Sequence, residues 1–476
     1  MGDRDGTQTE GTGAPVEHRP LLHYQPPSGW LNDPNGLVFH DGAWHLCYQH
    51  HPGSLDWGPM HWGHAVSTDL VTWRDLPIAL YPDSNGTAYS GCAVVDRRGT
   101  AGFGPGALVA IYTQFTPTTQ VQSVAGSSDH GRTWRVHPGN PVLGQPDGVV
   151  DFRDPKVSWF GDADDGHWVM VLAAGDGVRF YASRDLLAWE STGVFVPERG
   201  RPHGVWETPD LFALPVEGAR GHRWVLSAGA TDHAPAGGSG TRYWTGGFDG
   251  ATFSADAAAR WVDHGADFYA AQSWSDVADG RRVWIAWMSN WMYASHVPAA
   301  AARGQLTVPR QVGLEPDGAD GWVLVQRPVD EIARHLSDPV APGAGVPLRT
   351  GAAWVRLRTH ADAHGCAVVT VAAADAHVQV VHDPAAGTVT VDRTGAAGIG
   401  HGFAGVHTAP VPSGRGVDLD VVIDRSSIEV FADGGRACLT DLVVGLSGDG
   451  RPVTVAVGGD AIADADLRHV ERADAG

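Results

Sequence analysis

The sequence predicts an all-β protein, a five-bladed β-propeller followed by a C-terminal β-sandwich. Helical periodicity is almost absent; the segment at 329–336 is the best short candidate. Short runs of β-branched and aromatic residues alternate instead with Gly, Pro, Asp and Asn, the pattern of strands joined by turns. The third observation is a weak repeat. HAVSTDLVTW (64–73), AGSSDHGRTW (125–134), YASRDLLAWE (181–190) and TGGFDGATFS (245–254) each set an aspartate after small residues and before an aromatic. Asp69, Asp129, Asp185 and Asp249 are spaced 60, 56 and 64 residues apart. A unit of that size holding four short strands is a propeller blade. Four marked units and a final stretch at about 266–326 make five blades.

Within the blades, AWHLCYQ (43–49), LVAIYTQ (108–114), HWVMVL (167–172), and the segments 223–227 and 283–288 read as strands. The chain then changes character. QRPVDEIARHLSDPVAPGAG (326–345) reads as a helix-and-Pro/Gly connector, and beyond it Ala/Val/Gly-rich runs alternate strictly, as in HVQVVHD (377–383) and GTVTVD (387–392). The expected organisation is a polar tail at 1–20, a propeller at 21–326, a linker at 327–345 and a sandwich at 346–472. Aromatic residues are sparse in the sandwich, which places the expected active site in the propeller.

Bulk composition narrows the function. The 476 residues carry 33 basic and 54 acidic side chains, a net charge of −21, which argues against nucleic acid or an anionic membrane as partner. No window holds the ~20 apolar residues of a membrane span. The first twenty residues lack an apolar core, so no secretory signal is expected and a cytoplasmic location is favoured. A secreted chain already trimmed of its leader would read the same. Four scattered cysteines (Cys47, Cys92, Cys366, Cys438) read as small buried residues. Most of the 19 tryptophans should pack the core, the remainder offering surfaces on which sugars stack.

GWLNDPNG (29–36) is dense turn chemistry and by itself reads as a surface turn. Its Asp33 has two counterparts in marked contexts, Asp154 in DFRDPK (151–156) and Glu207 in GVWETPDL (204–211). The three fall in blades one, three and four, and each precedes a proline directly or one residue on, which suits a strand end that aims a side chain outward. In a propeller they can converge on one funnel. Two carboxylates are what glycosidic bond cleavage needs, one to attack the anomeric carbon and one to protonate the leaving oxygen. A third can hold hydroxyls, and Arg153 offers a rigid donor fork beside Asp154. Asp69, Asp129 and Asp185 are expected to be structural turn residues.

Two other stretches invite different chemistry. His50, His51, His61 and His64 include an HxxH, but no Cys or carboxylate accompanies them at zinc spacing, so no metal or other cofactor is expected. HAPAGGSGTR (233–242) lacks the following helix and lysine of a phosphate cradle and reads as a flexible loop near the cleft.

WLNDPNG, YQHHP, WGPMHWGHAVSTDLVTW, YSG, RDPKV, WETPDLF, DFYAAQSW and WMSNWMYA occur in the order found in glycoside hydrolase family 32, the β-fructofuranosidases. RSSIEVFADGGR (425–436) resembles that family's sandwich signature, and the resemblance runs from about 21 to 470. It implies that Asp33 is the nucleophile, Glu207 the acid/base and Asp154 the transition-state stabiliser. It also implies that Asn32, Gln49, Trp57, Ser90 and Arg153 line a fructosyl pocket with Trp291 on its apolar side. Asp33 should stay ionised while burial and nearby negative charge keep Glu207 protonated near neutral pH. The implied activity is retaining hydrolysis of fructan or sucrose from the non-reducing end. A fructosyltransferase or an oligosaccharide-releasing levanase would use the same residues, and a non-catalytic fructan-binding protein the same scaffold. Linkage preference and oligomeric state stay open. Thr208 departs from the family, which commonly places Cys after the acid/base, as do Tyr89 (commonly Phe) and Leu31 (commonly Met).

Overall fold

In the computed structural model, five antiparallel sheets follow one another along the chain, each starting with a strand buried on both faces. The model describes residues 19–471 except 199–201, 217–220, 319–320, 361–364, 374–375, 397 and 447–451. The polar tail expected at 1–20 therefore lies almost wholly outside the described residues. The innermost strands are Gly29–His40, Thr87–Asp96, Phe152–Phe160, Trp206–Pro215 and Tyr269–Ser273. Each neighbours the next, and the fifth neighbours the first, so the sheets form a closed ring of five blades. Because the blades pack face to face, the inner strands lose the alternation of a half-exposed strand; Ala107–Thr116, second in its blade, is likewise almost uninterruptedly apolar and buried.

Burial falls off outward. The last strands of blades two and three, Arg135–Val136 and Glu190–Phe195, are largely exposed. The last strand of blade five, Gly321–Pro328, stays mostly buried because it lies toward the second domain. The ring is sealed between blades five and one. A two-residue strand, Ala302–Arg303, runs parallel to Gly29–Trp30, and Ser275 exchanges backbone hydrogen bonds with Leu37 and Phe39.

The repeated aspartates occupy one structural place, the turn before the outer strand of a blade. Asp69 Oδ1 accepts from the amides of Val71 and Thr72, and Asp185 and Asp249 bind their own turns in the same way. Asp129 accepts from the Thr133 amide and hydroxyl. These are side-chain substitutes for a backbone turn bond.

GWLNDPNG is not a turn. All eight residues belong to the buried strand Gly29–His40, whose pairing shifts register between Leu31 and Pro34 and again between Asn35 and Val38. A bulge needs no ladder donor at Pro34 and uses Gly36 at φ 54°, so the turn-forming residues serve a kinked strand. The segment expected to be helical contains a single 3₁₀ stretch, Asp330–His335.

The sandwich packs a six-stranded sheet on a five-stranded one. Val369, Val371, Val378, Val380, Val389 and Val391 alternate into its core. Trp354, Val422 and Phe431 leave that core and join a cluster with Leu22, Tyr24 and Ile332 of the first domain. A buried ionic network crosses the same boundary. His23 bonds Asp424 at 2.9 Å and Glu429 at 2.7 Å, and Arg310 donates to both Glu429 and Asp263. Arg393 of the sandwich bonds Asp267 at 2.7 Å and the Tyr293 hydroxyl at 2.9 Å.

Candidate active site

Every innermost strand breaks register near its start. The shifts fall between Leu31 and Pro34, Ala88 and Gly91, Arg153 and Lys156, Glu207 and Asp210, and Tyr269 and Gln272. A bulge bends the strand and turns a side chain that would face the neighbouring blade toward the axis instead. At three of the five the backbone is left-handed, with φ of 65° at Asp154, 46° at Thr208 and 56° at Ala270. Such conformations cost on the order of 1–3 kcal/mol each and persist where the surroundings enforce them.

The bulges open into a pocket of about 320 Å³. It brings together every residue implicated from the sequence: Asp33, Asp154 and Glu207 with Asn32, Gln49, Trp57, Ser90, Arg153 and Trp291. It adds Gln120, Asp151 and Phe115, which the motifs did not single out, and Tyr89. Tyr269 also escaped notice as a functional residue, although DFYAAQSW contains it; its hydroxyl donates to Glu207 Oε2 at 2.5 Å. Beneath the pocket the axis is closed by Lys156, whose ammonium donates to the Ser273 carbonyl at 2.5 Å and pairs with Asp210 at 3.2 Å.

Each carboxylate is held differently. Asn32 Nδ2 donates to Asp33 Oδ1 at 3.0 Å and the Ser90 hydroxyl to Oδ2 at 2.6 Å, while the Trp30 indole fixes Asn32 from behind at 2.7 Å. Asp154 Oδ2 accepts from the Thr208 amide at 2.9 Å. Arg153 donates to Glu207 Oε1 through Nε and Nη2, at 3.1 and 2.9 Å, and to Asp151 and Gln120 through Nη1. Glu207 thus touches donors through both oxygens.

Burial raises Asp33; Ser90 and Asn32 oppose the rise, the charge of Glu207 adds to it, and the carboxyl settles at about 6. Burial also lifts Asp154 well above the usual carboxylate range, with Glu207 and Asp33 adding to the rise and Arg153 resisting it. Burial and the neighbouring negative charge therefore raise both aspartates of the site.

Two tryptophans form the rim. Trp57 is 47 % exposed and meets Tyr89 edge-on at 6.1 Å. Trp291, 37 % exposed, stacks on Trp30 at 6.2 Å. The glycine-rich segment expected to be a flexible loop is tied to Trp291. Asn290 donates to the Gly237 carbonyl, and the Ser239 hydroxyl accepts from the Trp291 amide at 3.2 Å. The Thr208 hydroxyl is buried and has no hydrogen-bond partner among the described residues. His50, His51 and His61 bond backbone carbonyls, and His64 bonds His45.

Residues 23–328 match the model of the glycosyl hydrolases family 32 N-terminal domain, and residues 334–464 that of the family 32 C-terminal domain. The chain belongs to glycosyl hydrolase family 32. The resemblance drawn from the motifs is borne out, and this family 32 chain is a glycoside hydrolase of the β-fructofuranosidase class. It is 42% identical to a levanase of Bacillus subtilis (strain 168) over 456 residues, covering 90% of this chain and 66% of the levanase. An extracellular exo-inulinase of Aspergillus awamori is 33% identical over 480 residues, 89% of each protein. The crystal structure of exo-inulinase from Aspergillus awamori superposes with a TM-score of 0.88 and 31% identity, covering 96% of this chain and 98% of that one. The family 32 chain therefore has the propeller-and-sandwich architecture expected from its sequence.

Proposed function

We propose that this chain is a retaining β-fructosidase that removes fructose from the non-reducing end of levan or inulin, and from sucrose, which carries the same kind of bond. Asp33 is the nucleophile, Glu207 the acid/base, and Asp154 the group that binds sugar hydroxyls and balances positive charge on the anomeric carbon. Asn32, Gln49, Trp57, Ser90, Arg153 and Trp291 hold the fructosyl ring. One observation carries the reading: three carboxylates from three blades meet in a pocket of about 320 Å³ that is closed beneath. A pocket of that size matches a single terminal sugar unit, which favours action at a chain end.

The chemistry follows from the contacts. Asn32 and Ser90 each engage one oxygen of Asp33 and fix the carboxylate plane while leaving lone pairs for attack on C2 of the sugar. As the C2–O bond breaks, Glu207 gives a proton to the leaving oxygen and Asp33 forms an ester with C2. Glu207 then takes a proton from water, the oxygen of that water bonds to C2, and the ester bond breaks to restore Asp33. Retention by this route requires carboxylates about 5–5.5 Å apart.

The product profile tests the proposal. Wild-type protein and Asp33→Asn are incubated separately with sucrose, inulin and levan, and the sugars are resolved by chromatography. Free fructose is expected as the only early product, and its release should fall by about three orders of magnitude or more in the variant. Early disaccharides, longer oligomers or difructose anhydride would replace this reading with transfer or internal cleavage. No product from any of the three would overturn it.

A further inference from the structure

A second cavity, of about 620 Å³, opens where the innermost strands of blades two, three and four end, at the mouth opposite the carboxylates. Its base is Arg282, at the start of the second strand of blade five. The Arg282 guanidinium lies over the Phe212 ring at 5.1 Å, and Nη1 donates to the Ser273 hydroxyl at 3.3 Å and the Trp274 carbonyl at 3.2 Å. No described carboxylate pairs with it. Asp210 engages Lys156 and the Ser273 amide through Oδ2, while its buried Oδ1 has no partner among the described residues. Asp276 is taken by Arg97 and the Val95 amide, each at 3.0 Å.

What remains is the Nε–Nη2 edge of the guanidinium, two parallel N–H donors without an acceptor among the described residues, fixed from behind through Nη1. That edge is the geometry with which arginine grips a carboxylate or phosphate side-on. Trp168 lines the cavity and is 7 % exposed. Trp159, edge-on to Trp168 at 5.1 Å, and Trp224 supply apolar wall. Two rim ion pairs, Arg97 with Asp276 and Arg98 with Asp164, are already neutralised. Asp96 also lines the cavity, its two oxygens accepting from the Thr100 hydroxyl and the Ala101 amide, and the Arg282 edge is left as the open pair of donors.

We infer that this cavity binds a small organic anion, a single carboxylate or phosphate group carried on an apolar body. The anionic group sits against the Nε–Nη2 edge of Arg282, and the apolar body lies among Trp159, Trp168 and Trp224. The volume falls in the range of ordinary small-ligand sites, about 300–1,000 Å³. The site is reached from the other end of the ring, behind Lys156 and Asp210, so its ligand does not compete with sugar at Asp33.

Calorimetric titration of the whole protein with phenyl phosphate and with benzoate tests this, using benzyl alcohol as the uncharged control and saturating fructose to fill the catalytic pocket. The expected result is one saturable site for at least one of the two anions, absent for the alcohol and unchanged by fructose. Arg282→Gln should weaken binding about tenfold to a hundredfold and leave sucrose hydrolysis unchanged. Should that variant fail to fold, Arg282→Lys keeps the positive charge, removes the side-on pair of donors, and should weaken binding about threefold to tenfold. Which anion binds more tightly distinguishes a phosphorylated ligand from a carboxylic acid. Absence of saturable binding, displacement by fructose, or equal affinity in the variants would overturn the assignment.

Discussion

Asp33 shows how the site sets function against stability. Its carboxyl is raised to about 6 from an ordinary 3.8, so the folded protein binds that proton more tightly than the unfolded chain does. The sign follows: stability is greatest below the unfolded value and is lost as pH rises through about 6. Asp33→Asn removes that loss. Thermal unfolding of the variant should match wild type near pH 4 and exceed it above about pH 6, by on the order of 1–3 kcal/mol, in a protein that no longer turns over. Ser90 acts in the opposite sense, because its hydroxyl donates to the ionised form at 2.6 Å. Ser90→Ala should move the acid limb of the kcat/KM profile to higher pH, by about 1–2 units for a charge-assisted bond. A limb that stays in place would separate that limb from Asp33.

Among the elements, the bulged inner strand is the part that makes the site, and the closing strand Ala302–Arg303 holds the first bulge in place. Gly304 follows it at φ 94°, and a Cβ there would run into the Leu31 carbonyl, one residue before Asn32. Gly304→Ala should therefore cost about 2 kcal/mol or more in denaturant unfolding and lower kcat more than tenfold. A neutral result would mean that blade one tolerates movement at its register break. The same strand shows what a sequence reveals. Asp33, Asp154 and Glu207 were legible because each sits in a contiguous, unusual word, and the turn aspartates because they recur. GWLNDPNG was misread as a turn because bulges and turns draw on the same residues, and only the ring's packing tells them apart. Tyr269 and Gln120 reach the pocket through the arrangement of blades, which no local pattern encodes. The 3₁₀ stretch Asp330–His335 was too short for periodicity to separate it from a helix.

Across the whole molecule, propeller and sandwich are joined by charges that avoid water. Burial would lower His23, but hydrogen bonds and charge from Asp424 and Glu429 outweigh it and raise the imidazole to about 9. A raised histidine contributes stability in full below its unfolded value of 6.5 and loses it as pH climbs through about 9. The melting temperature should therefore fall progressively between pH 6.5 and pH 9 and beyond. His23→Gln should start lower at neutral pH, by on the order of 2–4 kcal/mol, and lose part of that alkaline slope. An unchanged slope would assign the alkaline loss to other groups. Asp424 and Glu429 are shifted the other way, downward, so their share is lost only on acidification.

Closure of the axis by Lys156 and Asp210 has a kinetic consequence. A ring open at both ends could let a polymer thread through and be shortened without letting go. Here the released fructose must leave by the door through which the next chain end enters, so processivity is denied at the level of architecture. Attack on a long fructan should be distributive, every chain shrinking together, and accumulated fructose should inhibit by occupying the pocket.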